Sequence, residues 1–139
     1  MINLDNNTYL SIDKQNVEGY PYALKIKTGD KTIKIDQYAV EGGKPICNGM
    51  SITKAGNESI ILVQFYWRMR NADYYGSFYE TYYYRHNGSS VLENTVLNKD
   101  QNFSGFHGYY YNTDGLCEQN IYSYDTIDKI TKYFKETYP

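Results

Sequence analysis

Two cysteines, three prolines and one tryptophan are all that 139 residues contain of those types, and the scarcity of cysteine already closes off two classes of protein. Cys47 and Cys117 are too few to staple a disulfide scaffold. They form no CxxC pair and have no histidine at a zinc spacing, so a structural metal site is not expected either. In a reducing cytosol they are expected to be two small buried side chains, with a disulfide between them as the lesser alternative. Long hydrophobic runs are missing too: Ile60 to Val63 is the longest and is far too short to cross a bilayer. Nor is there an excess of positive charge. A formal net charge of −2 argues against a general phosphate-binding surface, and hence against nucleic acid as a direct partner. The first residues, Met1-Ile2-Asn3-Leu4-Asp5, carry neither a basic nor an apolar leader segment, so the expected location is the cytoplasm.

The recognisable signatures of catalysis are equally thin. Gly42-Gly43-Lys44 resembles a fragment of a phosphate loop, but Pro45 follows and no Ser or Thr completes it. The carboxylates form no DxD or ExxH pattern, and serines such as Ser11 and Ser51 stand in no nucleophile-elbow context. No metal and no cofactor is therefore expected. Two histidines, His86 and His107, are the only imidazoles. Brought together they would suit an RNase-like transphosphorylation, one ring taking a proton and the other giving one. Apart, each is an ordinary strand residue.

What the chain has is the length of one domain, residues 1–139, and 18 tyrosines. Tyrosine suits half-buried strands and wet contact surfaces. Period-two alternation marks a hairpin from Tyr22 to Asp36 around Gly29-Asp30, a pair suited to a type II′ turn. A short strand near Cys47 to Thr53 follows, then the most apolar segment, Ser59 to Arg70. There Ile61, Val63, Phe65, Trp67 and Met69 share one face, and Ile60, Leu62, Gln64, Tyr66 and Arg68 the other. The next strand, Gly76 to His86, ends at Asn87-Gly88, with a return from Ser90 to Leu97. A further hairpin joins Gly105–Tyr111 to Leu116–Tyr122 through Asn112-Thr113-Asp114-Gly115. The period then changes: Ile127, Ile130, Thr131, Phe134 and Tyr138 recur every three or four residues, with Asp125 placed as N-cap. The expected fold is mainly β (α+β): an antiparallel meander forming a sandwich or partly open barrel, with one C-terminal α-helix.

Consecutive tyrosines cannot all point inward on a pleated strand, so some of Tyr82-Tyr83-Tyr84 and Tyr109-Tyr110-Tyr111 must face solvent. If Phe78 and Phe106 mark the inner faces, Tyr79, Tyr83 and Arg85 share the outer side of one strand. His107, Tyr109 and Tyr111 share that of another. Asp73, Glu80, Asp114 and Glu118 lie close by in sequence and would give such a surface an acidic rim.

In size, mild acidity, Asn/Tyr/Ile/Lys richness and β character the chain resembles bacterial immunity proteins, including those paired with contact-dependent growth inhibition toxins. That resemblance implies a cognate toxin protein as partner, bound and neutralised inside the producing cell. Two other functions fit the residues: a lipocalin-like small-ligand carrier lined by inward Tyr and Phe, and the RNase-like enzyme using His86 and His107. Open edge strands would also allow two copies to pair as a homodimer.

Overall fold

In the computed structural model, which describes residues 2–5, 7–88, 91–93, 99–111 and 114–138, the chain folds into two antiparallel sheets and a helix. The first sheet is a plain meander of β1 (Ile2–Asp5), β2 (Thr8–Val17), β3 (Tyr20–Thr28) and β4 (Lys31–Tyr38). Thr28 faces Lys31 across Gly29-Asp30, and only Gly29 has a positive φ, 58°, as a type II′ turn requires. The two strands before Tyr20 were not expected from the sequence. Their apolar residues are few, Ile2 and Leu4 in β1 and Leu10 and Ile12 at the core-facing positions of β2, set among polar residues.

The second sheet is built from β5 (Ile46–Ala55), β6 (Glu58–Arg70), β7 (Tyr74–His86), β8 (Val91–Glu93), β9 (Ser104–Tyr111) and β10 (Cys117–Asn120). Its strand order is β10-β9-β7-β6-β5, and β8 shares the far end of β7's free edge with β9. The β6–β7 register runs without a shift from Ser59↔His86 to Arg70↔Tyr75. Much of the expected return from Ser90 to Leu97 lies outside the described residues. A 3-10 turn, Gln101–Phe103, leads into β9, and α1 (Ile127–Thr137) closes the chain.

The sheets pack face to face. Leu4, Leu10, Leu24, Ile26 and Tyr38 meet Ile61, Val63, Phe65, Trp67 and Tyr84, and the Tyr38 and Phe65 ring centroids are 4.2 Å apart. Burial of large side chains stabilises by roughly 1.5–3 kcal/mol each, so this layer is the main source of stability. The fold is a sandwich and not a closed barrel. Side chains fill the space a lipocalin-like carrier would reserve for its ligand.

On the opposite face of the second sheet α1 lays down Ile130 and Phe134 against Ile60, Leu62, Tyr83 and Phe103. Its N-cap is Thr126, whose hydroxyl accepts from Lys129 N, while the expected cap, Asp125, pairs with the Lys129 ammonium at 2.9 Å. Both cysteines are exposed and free. Cys47 lies beside a bulge in the outer strand β5 and Cys117 opens the outer strand β10, positions without a covering layer.

Candidate functional site

An 11-residue helix is about 16 Å long, whereas the 13-residue strands β6 and β7 run roughly 43 Å. The helix can therefore cover only part of the sheet beneath it. Its N-terminal approach is fixed halfway up. Gln64, fully buried, donates from Nε2 to Tyr124 O at 2.7 Å and to Thr81 Oγ1 at 3.3 Å. Asn48 Nδ2 donates to Gln64 Oε1 at 2.7 Å and to Asp125 O at 2.9 Å. Tyr122 then lies flat over Gly105, where an added Cβ would stand 2.3 Å from its ring.

Beyond this line the outer face of the sheet is open. Register places Arg70, Tyr75 and Tyr109 in one row across β6, β7 and β9, and Arg68, Ser77 and His107 in the next. Together with Gly76 and Gly108 they line an open cleft of about 640 Å³. The Arg70 guanidinium sits 5.7 Å above the Tyr75 ring centroid, a cation–π contact that holds both side chains. His107 Nδ1 accepts the Tyr122 backbone N–H at 3.2 Å, which leaves Nε2 as the nitrogen that carries hydrogen in the neutral ring. Tyr75, Tyr109 and Tyr111 are 59%, 47% and 59% exposed, so the row continues as an aromatic surface towards β10.

The surface expected from sequence is thus divided. His107, Tyr109 and Tyr111 are brought together at this corner. Tyr83 is not part of it: 4% exposed and 5.6 Å from Phe134, it is core beneath the helix. Tyr79 is half-buried between Tyr66 and Tyr122, at 5.4 and 5.5 Å. Arg85 faces the same side but eight residues along β7 from Ser77, roughly 26 Å away, and sits 3.9 Å from Glu58. The alternation predicted which face each residue takes; it carries no information about where a short helix will land.

The acidic rim assembles only in part. Glu80 lies on the inner face of β7, in a small cleft with Glu41, Trp67, Met69 and Phe78. Burial pushes its carboxyl above the usual range and Glu41 adds to the effect, while the Tyr82 hydroxyl, donating at 3.1 Å, offsets part of it. Glu118 accepts from Tyr110 OH at 2.9 Å, on the face away from Tyr109. Asp114 stands in the exposed connection after β9, whereas Asp73, in the exposed connection before β7, borders the corner, its carbonyl accepting the Tyr111 N–H at 3.0 Å. His86 and His107 are separated as well. The register partner of His107 is Ser77, nine residues or roughly 30 Å from His86, and the two rings lie on opposite faces. They cannot act on one phosphodiester together. Arg68, Arg70, Tyr75 and Ser77 were not anticipated; two arginines at alternate positions closing an otherwise apolar strand were the available signal.

Among the described residues no group of three His, Cys, Asp or Glu side chains converges as a metal site, and no helix is long and apolar enough to cross a membrane. Compared with known proteins, the chain matches no family model, no curated protein and no solved structure.

Proposed function

We propose that this chain is a protein-binding inhibitor of the immunity type, acting in the cytoplasm, whose contact surface is the uncovered corner of the second sheet. One observation carries the proposal: Tyr75, Tyr109 and Tyr111 stand exposed side by side with Arg70 on a hydrogen-bonded three-strand platform. Tyr and Arg are the side chains that most often anchor interfaces, because they offer large contact area for little lost freedom. Here they sit on strands rather than loops, so little ordering cost is left for binding. The cognate toxin domain remains the proposed partner, but its contact chemistry changes. Of the expected acidic rim only Asp73 borders the corner, and the charged side chains lining its cleft are Arg68 and Arg70, so the complementary surface on the partner is acidic.

The test is binding of the purified protein to the purified product of the adjoining gene, where an immunity protein's toxin is encoded. Tyr109→Ala and Arg70→Ala should each weaken Kd by about 30-fold, the roughly 2 kcal/mol of an interface anchor, with Tm unchanged. Tyr83→Ala should instead lower Tm, because it opens a cavity under the helix. Wild-type affinity in both corner variants would remove the corner as the contact surface.

A further inference from the structure

We infer that the cleft between β6, β7 and β9 is a carboxylate receptor, which in the complex takes an Asp or Glu side chain of the protein partner. This rests on the protein-binding proposal for its source of carboxylate, though not for the chemistry of the cleft.

The lining is a set of hydrogen-bond donors. Arg68 and Arg70 are two of the three arginines in the chain, and among the described residues no carboxylate lies within ion-pair distance of either. The third, Arg85, has Glu58 nearby. His107 is held by Tyr122 N–H so that Nε2 is its donor, and Ser77 adds a hydroxyl. A ligand that meets such a wall must accept, and an oxyanion is the acceptor that two guanidiniums favour most strongly.

Size and preorganisation agree. Alternate residues on a strand are about 7 Å apart and three strands span about 10 Å, an area for one or two carboxylates. Gly76 and Gly108, paired beneath the cleft, let β7 and β9 approach closely: a Cβ on either would stand 2.3 Å from the facing backbone, on the Phe106 side of the sheet. Arg70 is already positioned over Tyr75, and Tyr109 borders the same cleft, so apolar parts of the arriving side chain have a ring to lie on.

The experiment is an NMR titration of the ¹⁵N-labelled full chain with four probes: acetate, acetyl-Gly-Glu-Gly-amide, its Gln counterpart, and inorganic phosphate. The Glu peptide should shift Tyr75, Ser77, His107 and Tyr109 saturably, and the Gln peptide should not. In the Arg68→Gln/Arg70→Gln variant the half-saturating concentration should rise at least tenfold, with an unchanged melting curve as the check on folding. Three results would overturn the assignment: no saturable shift with acetate or the Glu peptide, an unaltered titration in the double variant, or phosphate saturating tenfold below the carboxylates. The two proposals separate cleanly. If Tyr109→Ala still weakens partner binding while the Glu peptide does nothing, the carboxylate receptor fails and the tyrosine surface stands. If the Glu peptide binds as stated while partner binding ignores Tyr109→Ala and Arg70→Ala, the cleft chemistry holds and the contact surface fails.

Discussion

Tyr84 has one hydroxyl proton and gives it to Asp36 Oδ2, 2.6 Å away. Tyr38, whose oxygen is 2.8 Å from that of Tyr84, must therefore be the donor to it. Both rings are almost fully buried between the sheets, and burial drives both phenols far above their ordinary range, so neither ionises under folding conditions. The ordering of donors makes the two substitutions unequal. Tyr38→Phe removes one donor and leaves the Tyr84–Asp36 bond intact. Tyr84→Phe strands the Tyr38 hydroxyl in the core, at about 1–3 kcal/mol for a buried group without a partner. Adding Tyr38→Phe to Tyr84→Phe should then restore stability rather than subtract from it, a coupling that urea denaturation of the two singles and the double can measure. A double variant less stable than Tyr84→Phe alone would mean the proton order is reversed.

At the scale of elements, α1 is attached by its approach as much as by its apolar stripe. Ile130 and Phe134 bury the stripe, but Gln64 fixes where the helix begins through Tyr124 O, and Asn48 does so through Asp125 O. Gln64→Leu keeps the volume and removes both amide functions, leaving the Tyr124 carbonyl without its donor in a part-buried place. It should cost about 1–3 kcal/mol, and the loss should be local. Amide exchange in α1 should quicken while β6 and β7 stay protected. Equal loss of protection in helix and strands would show that the approach is not a separate latch.

Those same elements mark how far the sequence could be read. The faces of Ser59 to Arg70 followed from the fixed two-residue alternation of a strand, and the stripe of the helix from apolar residues recurring every three or four positions. Three features were invisible for physical reasons. A bulge between Asp36 and Lys34 turns Asp36 towards Tyr84 where simple alternation puts it outside. β9 pairs beside β7, which no local signal specifies, yet this pairing is what sets His107 and Tyr109 next to Arg68 and Arg70. Tyr83 and Tyr79 share a face with the corner residues, and only the short reach of α1 and the Tyr122 ring decides that they are covered and the corner is not.

For the molecule as a whole, two groups on the inner face of β7 give stability a pH dependence of opposite signs. Burial lowers His86 from its ordinary 6.5, with Lys54 adding and Asp5 partly opposing, so the folded chain prefers the neutral ring. As pH falls below 6.5 the unfolded chain takes up that proton first, and stability is lost until the depressed folded value is passed. Glu80 behaves in reverse. Burial, reinforced by Glu41, raises it from 4.5, so its contribution is fully present below that value and is lost as pH rises through the folded one. Between 4.5 and 6.5 the two slopes have opposite signs and offset each other in part. Glu80→Gln should therefore raise the urea midpoint at pH 8 and lose that advantage near pH 4, whereas His86→Gln should steepen nothing at pH 8 and remove the decline on the acid side. Urea midpoints for the three proteins from pH 4 to 8 check both signs at once, and a Glu80→Gln difference that stays constant across that range would show that the carboxylate is solvated as an ordinary surface group.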